Sequence, residues 1–216
     1  MNPYYQDEHI TLYHADCLQH LDMLDQADVL ITDPPYGMNY KSGHNKTKVQ
    51  EKIQGGLDVK ARDKVLKAWA SEDRPALVFG TWRAPRPQCR NVIAWLKGSS
   101  PGMGDLSMPW GLSWEEIYVL GKGFEGRRVT NYINIPVEAA GALTRPDHPT
   151  PKPVPLMEEL IRKCPETWTI IDPFAGSGST LRAAKNLGRK CIGFEIEEKY
   201  CDIIAQRCAQ ETLGIF

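Results

Sequence analysis

Residues 169–181 read TIIDPFAGSGSTL, and no other stretch restricts the fold as much. A short apolar strand runs into Asp172, then Phe174, then Gly176-Ser177-Gly178, and a helix follows. Leu181, Ala184 and Leu187 repeat at helical spacing, and Gly188 stands where a helix-ending glycine belongs. Strand, glycine turn and helix, followed by a second apolar strand at Cys191–Phe194, make a βαβ unit and so a parallel sheet. Glycines in such a turn let the backbone approach a ligand where the amides of the helix start point outward. The second strand ends in Glu195, 19 residues after Gly176. An acid about 20 residues on suits the hydroxyls of a ribose. The combination predicts a ligand that contains a nucleoside.

The phosphate-binding versions of this turn fit poorly. A Walker loop needs a Lys before its Ser or Thr, and none follows here. A dinucleotide fingerprint needs a third glycine, and position 181 is Leu181. Asp172 would also face a pyrophosphate with like charge. It suits a ligand that presents a positive amino group, of which S-adenosylmethionine is one.

The rest of the chain follows the same alternation. Apolar runs predict strands at Ile10–Tyr13, Val29–Thr32, Ala76–Phe79, Glu116–Leu120 and Thr169–Ile171. Helices are expected over Val59–Ala70, Pro87–Leu96, Pro155–Lys163, Ser179–Leu187 and Glu197–Thr212. Tyr200, Ile203, Ile204 and Cys208 mark one face of the last. Three stretches look irregular: Gly37–Gly56, Gly98–Gly111 and the proline-rich Gly141–Pro155. At 216 residues the chain fits one domain, 1–216, with an ordinary globular composition. No apolar run approaches the roughly 18 residues of a membrane span, and the N-terminus lacks a signal-peptide pattern. The six cysteines form no CxxC pair, and the five histidines do not join them at ligand spacing, so no metal site is expected. Reduced thiols in a cytoplasmic protein are the expectation.

The net charge of −1 conceals an asymmetry. Residues 1–40 hold seven acids and no Lys or Arg, whereas residues 41–97 hold thirteen basic and five acidic residues. A basic block beside an acidic one suits a polyanion, and a solvated surface segment accounts for it equally on charge alone.

A second junction stands at residues 29–37, VLITDPPYG, where an apolar strand feeds into Asp33-Pro34-Pro35-Tyr36. Two prolines stiffen the chain and leave the Pro34 carbonyl without a helical or sheet partner. The edge presents a carboxylate, a free carbonyl and an aromatic face. That set suits a planar ring with an exocyclic amino group: Asp33 and the Pro34 carbonyl accept its two hydrogens, and Tyr36 stacks on it.

With both junctions in view, the chain resembles the amino-methylating DNA methyltransferases of the N6-adenine/N4-cytosine family. DPPY at 33–36 is similar to the family's catalytic motif, and DPFAGSG at 172–178 to its S-adenosylmethionine loop. HPTPKP at 148–153 resembles the segment before that loop, HADC at 14–17 the acidic site beside the cofactor adenine, and WEEIYVLGKG at 114–123 a late strand. The catalytic motif comes first and the cofactor loop last, which is the permuted order of the family's beta group. The family's usual Gln in the proline segment is Pro151 here.

The resemblance implies a Rossmann-like α/β domain, mostly parallel with one antiparallel strand. It implies methyl transfer from S-adenosylmethionine to adenine N6 in DNA, directly and on a flipped base. Asp33, Pro34, Pro35 and Tyr36 would be catalytic. Asp172, Phe174, Gly176, Ser177 and Gly178 would serve the methionine side of the cofactor, Glu195 the ribose and Asp16 the adenine. Thr150 and Lys152 would reach the cofactor carboxylate. Lys41, Lys46, Lys48 and Lys52, in the basic loop at 37–67, are expected on DNA phosphates. A short target-recognition region is expected within 98–147. Partners would be DNA and no membrane, the chain acting as monomer or homodimer, with a cognate restriction endonuclease possible. N4-methylation of cytosine is the nearest alternative. An NAD-type oxidoreductase on the same sheet and a DNA-binding module without catalysis are the others.

Overall fold

The computed structural model describes residues 1–35, 59–69, 73–98, 107–137 and 151–210. Nine strands make one sheet: β1 (Tyr5–Gln6), β2 (Ile10–His14), β3 (Val29–Thr32), β4 (Ala76–Gly80), β5 (Asn91–Leu96), β6 (Trp114–Leu120), β7 (Tyr132–Asn134), β8 (Ile170–Asp172) and β9 (Cys191–Glu195). Four α-helices accompany them: α1 (Lys60–Trp69), α2 (Val154–Ile161), α3 (Ser179–Asn186) and α4 (Glu198–Ala209). Two 3-10 helices, Cys17–Gln19 and Leu21–Gln26, lead from β2 towards β3. No helix among the described residues is long and apolar enough to cross a membrane.

The strand order is β1-β2-β9-β8-β3-β4-β6-β5-β7. From β2 to β4 every pairing is parallel. β6 is the expected antiparallel strand, set against both β4 and β5. The two-residue β1 also runs antiparallel, to β2.

Alternation along the central strands explains why both faces are covered. Val29 and Ile31 of β3, and Leu77 and Phe79 of β4, enter the core that α2, α3 and α4 close. Leu30, Ala76 and Val78 point the other way, into the core closed by α1 and the 3-10 helices. A strand buried on both faces reads as a continuous apolar run, which VLI and ALVF do. α1 buries Arg62, Val65 and Trp69, three positions on one helical face.

The expected helix over Pro87–Leu96 is instead the strand β5. It pairs with β6 on one side and β7 on the other. Val92, Ile93 and Trp95 carry strand propensity, and two neighbouring ladders outweigh a weak helical spacing.

The connections set the place of the site. β8 runs through α3 to β9 on one side, while β3 runs through α1 to β4 on the other. The order reverses between β8 and β3, so a crevice opens at their carboxyl ends.

Candidate functional site

Five parallel strands bring their carboxyl ends to one edge. β2 leads to Asp16, β9 ends in Glu195, β8 ends in Asp172, β3 leads to Asp33, and β4 ends at Gly80. Four of the acids expected from sequence therefore share one edge of the sheet. Tyr36, Thr150, Lys41, Lys46, Lys48 and Lys52 lie outside the described residues.

The glycine turn is built as the sequence predicts. Gly176 has φ of 54° and Gly178 of 76°, both left-handed. A Cβ on Gly178 would meet Ile204 Cγ1 of α4 at 2.7 Å, so position and conformation both demand glycine. Ser179 Oγ donates to the Lys152 carbonyl at 2.7 Å, which ties the start of α3 to the proline segment. The Ser177 hydroxyl lies 3.3 Å from that of Ser179 and is buried.

Glu195, at the end of the adjacent strand β9, braces this turn. Its Oε2 accepts from the Gly176 amide at 2.7 Å and its Oε1 from the Glu197 amide at 2.9 Å. Burial raises its carboxyl, against the pull of those amides. Each oxygen keeps acceptor capacity for a hydroxyl. Asp16 lies just past β2, whose His14 pairs with Glu195 and whose following residue, Ala15, donates to the Glu195 carbonyl. The Asp16 carboxylate caps the following 3-10 turn through the Leu18 amide at 2.9 Å. The exposed Ile196 follows Glu195 directly and adds an apolar wall that sequence reading did not single out.

Asp172 faces inward. Its Oδ1 accepts from the Thr32 hydroxyl at 2.6 Å and the Phe174 amide at 3.1 Å, and its Oδ2 from the Thr180 hydroxyl at 2.6 Å. One carboxylate thus joins β8, β3 and α3. Burial pushes it up to about 6, with the three donors acting against that rise.

Asp33 meets Lys152. The Lys152 ammonium, expected on a cofactor carboxylate, donates to Asp33 Oδ2. It lies 5.1 Å over the Phe79 ring and 3.4 Å from Glu115 Oε2. Glu115 in turn accepts from the Lys97 ammonium. Asp33 Oδ1 is buried and has no hydrogen-bond partner among the described residues. Burial raises the Asp33 carboxyl, and Lys152 opposes that rise. Burial also acts to raise Glu115, but Lys152 and Lys97 outweigh it and hold that carboxyl low.

Glu115 and Lys97 escaped the sequence reading. The available signal was the pair Glu115-Glu116 inside an otherwise apolar strand, WEEIYVL. Both are held by cations, Glu116 by Arg86 and by the Tyr118 hydroxyl at 2.8 Å. Adjacent buried acids on opposite faces of a strand require such partners. The thiols offer no nucleophile: Cys17, beside the site, is pushed up to about 12 by burial together with Asp16 and Asp172.

The donor set suits a cationic nucleoside better than a pyrophosphate. Acids ring the glycine turn, and the ammonium of Lys152 is committed to Asp33 and Glu115.

Comparison with known proteins agrees with this geometry. The family model for N6_N4_Mtase, a DNA methylase, matches residues 91–206. The type II methyltransferase M.ScaI of Streptomyces caespitosus is 35% identical over 96 residues, 42% of this chain and 32% of that protein. The chain therefore aligns with only about a third of that relative's length. The putative methylase YubD of Escherichia coli (strain K12) is 30% identical over 196 residues, 85% of this chain and 82% of that protein. The M1.HpyAVI–SAM complex has the same fold, with a TM-score of 0.68 at 22% identity over 93% of this chain and all of that one. An oxidoreductase on this sheet is thereby set aside. A family match over more than half of the chain, joined to a relative aligned over most of both lengths, establishes that this protein belongs to the N6-adenine/N4-cytosine family of DNA methylases.

Proposed function

We propose that the chain transfers the methyl group of S-adenosylmethionine to the N6 amino group of adenine in DNA. The observation that carries this reading is Asp33 Oδ1, a buried carboxylate oxygen without a partner among the described residues, beside the glycine turn. An amino hydrogen of a base is the donor that such an oxygen lacks. The cofactor supplies an electrophilic methyl group on a sulfonium. Asp33 and the Pro34 carbonyl accept the two amino hydrogens, which draws the nitrogen lone pair out of conjugation with the ring and towards the methyl carbon. Asp33 then takes the proton that the methylated nitrogen sheds. Asp172 holds the turn and the end of β3 together, and Glu195 accepts from the ribose. A base inside a duplex cannot reach this crevice, so the target is flipped out.

Adenine is favoured over cytosine by Asp before the two prolines, a resemblance within the family. Tyr36 is assigned to stacking on the base, Thr150 to the cofactor carboxylate, and Lys41, Lys46, Lys48 and Lys52 to DNA phosphates. We place the reaction in the cytoplasm. The test is incubation of unmethylated DNA with the protein and labelled S-adenosylmethionine, followed by digestion to nucleosides. Labelled N6-methyldeoxyadenosine is expected, with Asp33→Ala abolishing the label. Label only in N4-methyldeoxycytidine would overturn the choice of base, and no label in DNA would overturn the reading.

A further inference from the structure

Asp33 and three further charges form a chain that draws on four elements of the fold. Asp33 follows β3, Lys152 precedes α2, Glu115 lies in β6 and Lys97 follows β5. The contacts run from Asp33 Oδ2 to Lys152, from Lys152 to Glu115 Oε2 at 3.4 Å, and from Glu115 Oε1 to Lys97. Lys152 is 8% exposed and lies 5.1 Å over the Phe79 ring. Lys97 leans on the Trp95 ring at 5.3 Å. Asp172, at the end of the neighbouring strand β8, also feels the Asp33 charge, which raises it.

Such an arrangement is more than a buried ion pair. A lone Lys152 would bind Asp33 tightly and make it a poor proton acceptor. Glu115 contacts the same ammonium and adds its own negative charge, which acts on Asp33 against the pull of Lys152. Lys97 in turn shares Glu115. The chain is neutral overall, and the outer pair sets how the inner pair divides its charge.

We propose that Glu115 and Lys97 are positioning residues, which divide the Lys152 ammonium between Asp33 and Glu115 and so set how strongly Asp33 accepts the proton released by the methylated amine. The proposal rests on the function proposed above. The step balances: the nitrogen lone pair forms the bond to the methyl carbon, the sulfur keeps the electrons of the broken bond, and one nitrogen proton passes to Asp33. Lys152 keeps its own proton throughout, held between two carboxylates.

The two outer residues act with opposite sign, which makes the test specific. In Glu115→Gln, the negative charge that competes for Lys152 and raises Asp33 is gone, and the Asp33 carboxyl titrates lower. In Lys97→Met, Glu115 draws Lys152 away, and Asp33 titrates higher. The measurement is the carbon-13 signal of the Asp33 carboxyl across pH in the protein alone. A fall of about one pH unit is expected for Glu115→Gln, a tenfold change in proton affinity, and a rise for Lys97→Met. The acidic limb of the methylation rate should move in the same two directions, with KM for DNA unchanged. An Asp33 midpoint unmoved in both folded variants, or moved the same way in both, would overturn the proposal. If Glu115→Gln does not fold, the sign seen in Lys97→Met decides alone. The titration needs no turnover, so a protein that methylates nothing would overturn the proposed function while leaving this result readable.

Discussion

Asp172 is a carboxylate with both oxygens engaged by its own protein. Thr32, Thr180 and the Phe174 amide donate to it, and burial still carries it up to about 6. The folded chain holds this proton more tightly than the unfolded chain, whose carboxyl titrates near the ordinary 3.8. Its contribution to stability is therefore fully present below about pH 3.8 and is lost as pH rises through about 6. The shift of roughly two units corresponds to about 3 kcal/mol. Asp172→Asn does not titrate, so urea unfolding of both proteins from about pH 4 to about pH 7 isolates the effect. Wild type should lose about 3 kcal/mol relative to the variant across that window. A flat difference would show that the three donors compensate burial completely. The position of Asp172 was legible in DPFAGSG, but its partner Thr32 stands 140 residues away in sequence. Pairings of that kind come from strand order, which one strand does not carry. Lys152 and Asp33 were each singled out from their local motifs, but their pairing was not, because the contact spans 119 residues.

The turn between β8 and α3 is held by one glycine in two independent ways. Gly178 has a φ of 76°, and a Cβ there would reach Ile204 Cγ1 at 2.7 Å and Cγ2 at 3.1 Å. Gly178→Ala meets the left-handed penalty of about 1–2 kcal/mol and must also displace α4. A loss of about 3 kcal/mol in stability is expected from the two together. Ile204→Ala alone costs about 2–5 kcal/mol as a core truncation, yet it removes both clashing carbons. The double variant should therefore be less destabilised than the sum, and the coupling measured in a denaturant cycle reports the contact. Strict additivity would assign the whole effect to backbone conformation. Elements of this kind were readable because local patterns specify them. α3 and α4 were placed to within three residues by periodic apolar positions, α3 also by its terminal glycine. β5 was misread because Val92, Ile93 and Leu96 also fit one face of a helix. Only its pairing with β6 and β7 distinguishes the two. β1 and β7, of two and three residues, are too short to hold a pattern and exist through their partners.

Across the whole molecule, 26 basic and 27 acidic residues leave a net of −1, and several of them meet in pairs: Asp33 with Lys152, Glu115 with Lys97, Glu116 with Arg86, Asp7 with Lys185. Net charge is then a poor guide to a polyanionic partner, and the distribution of surface groups is a better one. The register of β4 and β6 sets Gly80 opposite Glu116, so the segment after β4 and the segment before β6 emerge at the same edge as Asp33. Trp82 and Trp110 stand on these segments, 56% and 79% exposed, and Arg83 lies 5.2 Å over the Trp82 ring. Exposed tryptophans cost solubility unless something covers them, and at this edge a flipped base leaves unstacked neighbours that an aromatic ring can cover. Stacking of one ring on a base contributes about 1–3 kcal/mol. Trp82→Ala and Trp110→Ala should each weaken duplex binding roughly tenfold at fixed salt, as read by fluorescence anisotropy of labelled DNA. Cofactor affinity and melting temperature should stay unchanged, because neither ring is packed in either core. If both variants bind DNA as wild type does, the partner is held elsewhere. The basic sequence stretch that carries Lys41, Lys46, Lys48 and Lys52 is then the set of charges to neutralise, with a shallower salt dependence of binding as its signature.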